Sequence, residues 1–282
     1  MISPILNYGS EIWGLRKADP IEKFHLSFLK SVLNVKLSTP NCFVYGELGV
    51  YPLIVDRKIR VIKYWLKIIR GLNVKEHLVH KIYRELCYIN TINPDAVTWV
   101  SEVKFLLESS GFGYVWQQQF VDNEQDFIYL FKERLCDMYK QEWKNDVNLT
   151  SDGRLFKYLK TDFCFESYLT LNNRALRISI TKIRLSSNLF LVERGRWGVN
   201  RIERNERLCT LCGCVEDEFH CLLECPRFNN ERRGLLPAYL MEERNMINFV
   251  KFLSSNEINI QRKLGLLCFK VQKEYREIVL NT

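Results

Sequence analysis

CTLCGCVEDEFHCLLEC, residues 209–225, is the stretch whose reading decides the most. Two residues separate Cys209 from Cys212, seven separate Cys212 from His220, and four separate His220 from Cys225. Three thiolates and one imidazole complete a tetrahedral set for Zn²⁺. A C-x2-C start lets one tight turn aim both sulfurs at one ion, and Gly213 follows where a positive φ suits such a turn. His220 is one of four histidines in the chain and falls at ligand spacing. Cys214 and Cys221 are spare thiols within the stretch; either can swap into the ligand set, Cys214 in place of Cys212 first. A closed four-ligand site leaves no position for substrate, so the metal is expected to hold shape. Phe219, Leu222 and Leu223 fit one packed face of a short helix carrying His220. Glu216, Asp217 and Glu218 sit at its start, favoured by the helix dipole, and one of them is expected on the second ring nitrogen of His220.

Outward from that stretch, the composition is globular: 47% of the 282 residues are apolar and 26% charged, enough to bury a core. Half of the ten cysteines fall within 209–225, a clustering that suits metal binding in a reducing compartment better than a disulfide framework. No signal peptide is apparent and no apolar run reaches transmembrane length, so a nuclear or cytoplasmic protein without a membrane partner is expected. Net charge is +8, and it is concentrated. Residues 57–84 carry nine Lys/Arg and one acid, and residues 174–207 carry nine and three. Two basic stretches on a mildly acidic body suit a polyanion, and equally two solvated helix faces.

Periodicity predicts a mostly helical array with a small zinc knuckle near the C-terminus. A helix over 20–34 is expected to bury Ile21, Phe24, Phe28 and Val32, with His25 at its surface or as a cap. The stretch 39–53, punctuated by Pro40, Gly46, Gly49 and Pro52, reads as loop. A helix over about 55–72 buries Val55, Ile59, Ile62, Leu66, Ile69 and Leu72 and turns Arg57, Lys58, Arg60, Lys63, Lys67 and Arg70 outward. Helix resumes after 74 with His77 and His80, which lack a third ligand. Asn93 starts another helix, Asp122 or Asn123 a longer one, Asn172 or Asn173 the next, and a last helix begins near 258. The linear division is 1–90, 91–190, 191–235 and 236–282. The segment 193–207 is rich in arginine and holds Trp197, which either stacks on a base or packs beneath the knuckle.

Catalytic signatures are absent. The chain has no Asp-Asp pair, no phosphate-binding GxxxxGK[ST] loop and no GxSxG elbow, so polymerase or nuclease chemistry by these residues alone is not expected.

The segments ILNYGSEIWG (5–14), EKFHLSFLKSVLNV (22–35), TPNCFVYGELGVYPL (39–53) and RKIRVIKYWLK (57–67) resemble the region after the palm in non-LTR (LINE-type) retrotransposon reverse transcriptases. KIRLSSNLFLVERGRWG (182–198) and ERLCTLCGCVEDEFHCLLECPRFNNERR (206–233) resemble the C-terminal Cys-Cys-His-Cys zinc region of the same polyproteins. The match includes Arg184, Glu193, Gly195, Arg196, Arg207, Glu216, Asp217, Glu218, Pro226 and Arg232 with the four ligands. It is loose over about 85–170, and Asn188 stands where relatives often carry histidine. The resemblance implies the C-terminal part of a longer chain, with the polymerase domains upstream and partnering it. It implies a grip on template RNA or target DNA, as single strand or hybrid. Cys209, Cys212, His220 and Cys225 then hold zinc, Arg194, Arg196, Arg201, Arg204 and Arg207 contact phosphate, and the cationic face of 57–70 tracks a duplex backbone. The alternatives are a helical protein-interaction or structural domain stapled by zinc, and a decayed fragment with no selected role.

Overall fold

The computed structural model describes residues 3–16, 18–71, 77–150, 153–197 and 201–280. Among them the backbone is helical with no strand, only isolated bridges pairing Leu48 with Phe165 and Leu208 with Val215. The helices of eight residues or more are α1 (Asp19–Leu33), α2 (Asn41–Leu48), α3 (Leu53–Gly71), α4 (Leu78–Ile92), α5 (Trp99–Ser109), α6 (Glu124–Leu149), α7 (Arg174–Arg184), α8 (Met246–Leu253) and α9 (Ile258–Leu280). No helix among the described residues is long and apolar enough to cross a membrane. The chain divides into two compact units, one of Met1–His25 with Tyr51–Lys144, the other of Leu26–Val50 with Asn145–Thr282. Both are interleaved in sequence, whereas the four segments expected above are contiguous.

The first unit is built on α3. Its stripe of Val55, Ile59, Ile62, Leu66 and Ile69 is buried, as the spacing predicts, and packs with Val103 and Leu107 of α5 and Phe127 and Phe131 of α6. Each such side chain contributes about 1.5–3 kcal/mol. Trp65 is fully buried, stacks on Trp116 and donates to the Tyr83 hydroxyl, which donates in turn to Gln119. Residue 72 falls outside the described residues, and His77 stands just ahead of α4 with His80 buried behind it. Thr98, not Asn93, caps α5, through a reciprocal box with Ser101. Asn123 caps α6.

The second unit holds the cysteine-rich stretch 209–225 and its own core, in which Phe190, Leu222, Leu223, Phe228, Phe249, Phe252 and Leu267 are almost fully buried. Asn173 caps α7 through bonds from the Ala175 and Leu176 amides. Helices α7 and α9 cross closely at Gly265, where a Cβ would lie 2.8 Å from the Leu176 Cβ. Buried within the unit, Arg184 pairs with both Glu47 oxygens (2.5 and 3.2 Å) and with Glu166 (2.9 Å), and donates to the Leu253 carbonyl. The Tyr168 hydroxyl donates to the same Glu47 at 2.7 Å, and Lys160 engages Glu166.

Two expectations are corrected. The stretch 39–53 is not loop: it contains α2, whose residues Cys42–Glu47 are buried. Pro40 stands at its N-cap and Gly49, at φ 58°, ends it, so these two mark helix boundaries, whereas Gly46 lies buried inside the helix. In α1 the expected apolar stripe faces outward, since Phe24, Phe28 and Val32 are exposed. His25, Leu29, Lys30 and Leu33 take the buried side, Lys30 by donating to the Leu37 carbonyl and Asn41.

Candidate metal centre and its basic flank

The turn carrying the first two cysteines closes on itself. The Cys209 amide donates to the Cys214 carbonyl (2.7 Å), the Gly213 amide to the Cys209 carbonyl (2.8 Å) and the Glu216 amide to the Arg207 carbonyl (2.9 Å). Gly213 adopts φ 69°. Residues His220–Glu224 form one π-helical turn, whose bond from the Cys225 amide to the His220 carbonyl is 2.8 Å. That five-residue closure brings His220 and Cys225 to the same side, an arrangement often found at functional sites. Asp217 caps the turn by accepting from the His220 amide at 3.0 Å.

Cys209, Cys212, His220 and Cys225 each bring a ligand atom to within 4.8 Å of the others, a group that can hold a metal ion. The Cys225 sulfur lies 3.9 Å from both the Cys209 and the Cys212 sulfur. Tetrahedral Zn–S bonds of ~2.3 Å place two sulfurs about 3.8 Å apart, so the donor set fits. Burial raises the Cys209 thiol, but hydrogen bonds from the Leu211 and Cys212 amides and the His220 side chain outweigh it and bring the group down to about 7. Cys212 is exposed and pushed up to about 12, by desolvation first and then by its neighbouring thiols. Several thiols this close resist ionising together, and a cation relieves that repulsion.

The spare thiols part company. Cys221 is buried in the apolar core, its thiol raised well above the usual range by burial, and is no ligand. Cys214 is exposed, with its sulfur 3.1 Å from His220 Nδ1. The acid nearest the imidazole is Glu224, its Oε2 3.5 Å from Nδ1, and not one of residues 216–218. Those three acids brace other elements instead. Glu216 accepts from the Leu191 amide (2.9 Å) and the Tyr275 hydroxyl, Glu218 from Asn188 (2.8 Å), and Asp217 pairs with Arg204 at 3.2 Å. Asn188 is buried, and its side-chain Oδ1 also accepts from the Phe190 amide.

The arginines on the N-terminal flank sort by burial. Arg194 and Arg201 are exposed, and Trp197 is 54% exposed, so it does not pack beneath the knuckle. Arg196 is half-buried and pairs with Glu193 at 3.4 Å. Arg207 is buried and is corrected from phosphate contact to clamp: it donates to the Val192 carbonyl (2.7 Å) and twice to the Ile202 carbonyl (2.9 and 2.7 Å). Arg232 plays the same part behind the knuckle, donating to the Leu222 and Cys225 carbonyls.

In the first unit, Lys63, Lys67 and Arg70 of α3 are exposed, Arg70 lying 3.4 Å from Glu124. Lys58 is half-buried, and Arg60 pairs with Asp56 at 2.9 Å. Arg57 is a second correction: it is 1% exposed and bound to Glu22 at 2.8 Å, so it is not part of an outward face. A cation in a basic run reads as solvated; the carboxylate that buries this one lies 35 residues away.

No family model matches the chain, and no curated protein or solved structure matches it.

Proposed function

We propose that this chain is a nucleic-acid-binding module, the C-terminal part of a non-LTR retrotransposon reverse transcriptase. In this reading Cys209, Cys212, His220 and Cys225 hold a structural Zn²⁺ that fixes the display of the arginine-rich loop. One observation carries it. Arg207, two residues from the first ligand, ties down both ends of the segment 192–202 through the Val192 and Ile202 carbonyls, and the Ile202 amide closes the loop on the Gly195 carbonyl at 2.9 Å. Arg194, Trp197 and Arg201 then project from a base anchored to the metal knuckle. Exposed arginines pair with phosphates, and an exposed indole stacks on a base for about 1–3 kcal/mol. Zinc supplies the crosslink and the charge that the thiolates need, on the order of 10–16 kcal/mol of binding free energy in small modules, much of it folding free energy. The free thiols suit a reducing nuclear or cytoplasmic compartment.

The test joins metal content to binding. Purified chain is expected to carry one zinc, lost in Cys209→Ser and His220→Ala. It is expected to bind single-stranded RNA or DNA in fluorescence anisotropy with an affinity that falls steeply with salt. Metal-free folded protein, or binding absent at low salt, rejects the proposal.

A second reading, a helical interaction domain stapled by metal, draws support from the arginines already spent: Arg196, Arg204 and Arg207 all have internal partners. Charge reversal at Arg194 and Arg201 separates the two, because RNA retention unchanged by it favours a protein partner.

A further inference from the structure

Within the second unit lies a cavity of about 370 Å³ with Lys36, Lys182 and Arg276 in its wall, three cations that neither the metal centre nor the arginine loop uses. No aspartate or glutamate lines it. The three cations come from distant parts of the sequence. Asn34, at φ 56°, turns the chain at the end of α1 and leads to Lys36. Lys182 lies on the last turn of α7, and Arg276 on α9. Lys36 is held in place by bonds to its neighbours: its amide donates to Ser187 Oγ (2.9 Å) and its ammonium to the Asn188 carbonyl (2.8 Å). The side chains of Lys182 and Arg276 have no ion pair or hydrogen bond among the described residues.

We propose that this cavity is a phosphate-binding site, taking a phosphoryl group of a nucleic-acid strand end or of a free nucleotide between Lys182 and Arg276, with Lys36 behind. Convergent cations with no carboxylate repel one another, and that repulsion is relieved when an anion enters. Burial first, then Arg276 and Lys36, hold Lys182 below the usual lysine range, which reports the same mutual repulsion. Glu193 is an acid acting on Lys36, and it does not line the cavity. The Ser187 hydroxyl adds a neutral donor in the wall. A volume of this order lies in the range of small-ligand sites, which leaves room for a nucleoside beside its phosphate. The site stands independently of the zinc reading, since inorganic pyrophosphate is a sufficient probe.

Isothermal titration of the whole chain with inorganic pyrophosphate is expected to show saturable binding. Lys182→Gln combined with Arg276→Gln is expected to weaken it about tenfold or more. Lys263→Gln combined with Lys270→Gln, on exposed positions of α9 outside the cavity, is expected to leave it unchanged. Thermal melts of both double variants should match the unsubstituted chain, because all four side chains are exposed or half-buried. No saturable pyrophosphate binding, or equal loss in the two double variants, overturns the proposal. Anisotropy with 5′-phosphorylated and 5′-hydroxyl oligonucleotides identifies the source. A preference for the phosphorylated strand that vanishes in the Lys182/Arg276 variant points to a strand end. Equal affinities alongside intact pyrophosphate binding point to a free nucleotide.

Discussion

Arg184 shows how much can rest on one side chain. It is fully buried, sits 5.3 Å over the Tyr168 ring and neutralises Glu47, which is itself fully buried. Taking one partner from such a pair leaves an uncompensated charge in the core and costs about 3–5 kcal/mol. Arg184→Met is therefore expected to lose that amount in urea unfolding. The double variant Arg184→Met/Glu47→Gln should recover a large part of it, because the orphaned charge goes with its partner. A loss below about 1 kcal/mol for the single variant would show that Glu47 finds another cation. Arg184 and Arg207 lie in a stretch that reads as basic, yet they, like Arg232 beyond it, are consumed by carbonyls or buried carboxylates. Burial of a cation depends on acceptors supplied by other elements, and residue type carries no trace of them. The Cys/His cluster is the opposite case: its chemistry and spacing are local, so Cys209, Cys212, His220 and Cys225, a group that can hold a metal ion, were legible from seventeen residues of sequence.

Among the elements, the helices with long uninterrupted periodicity were legible, as α3, α6 and α9 show. Their stripes recur often enough that one partner's idiosyncrasy does not change the pattern. The shorter α2 was not, because its eight residues lie between the turn-favouring residues that delimit it and all but two of them are buried, leaving no polar face to give a period. The face of α1 was misjudged for a related reason. Phe24, Phe28 and Val32 obey helical spacing, but Leu29 and Leu33 do so equally, and which set is buried depends on what packs there. The crossing of α7 and α9 was invisible in sequence because it depends on what Gly265 lacks. Glycine inside a helix costs about 1 kcal/mol against alanine, so its presence here has to be offset by the close approach it permits. Gly265→Val is expected to destabilise the chain by about 1–3 kcal/mol through overpacking against Leu176 and Ile180. Gly265→Ala, which adds only the Cβ that meets Leu176 Cβ at 2.8 Å, should fall between the parent and Gly265→Val, and thermal melts of the two would measure it. A single variant as stable as the parent would mean that the helices separate at no cost.

For the whole molecule, the cationic excess of +8 is less available than its count suggests. Arg57, Arg184, Arg207 and Arg232 are buried, and Arg60, Arg196 and Arg204 are paired to acids. Among the exposed cations of the two basic stretches, two sets are set apart by position: Lys63 and Lys67 on α3, and Arg194 and Arg201 beside the Cys/His cluster. If the proposed nucleic-acid binding is correct, salt dependence measures which set takes part, since each phosphate neutralised on a single strand adds about 0.7 to the slope of log K against log salt. Arg194→Gln with Arg201→Gln is expected to flatten the slope for single-stranded RNA by about 1.4, two phosphates' worth, and to weaken binding at low salt without changing the melting temperature. Removing the metal should produce a loss at least as large, because the loop then loses the anchored base that presents both arginines together. Lys63→Gln with Lys67→Gln should leave the single-strand slope intact and flatten the slope for an RNA–DNA hybrid, if α3 tracks a duplex. Identical flattening by both pairs on both ligands would describe diffuse attraction to a basic body, and the anchored loop would then have no particular part in recognition.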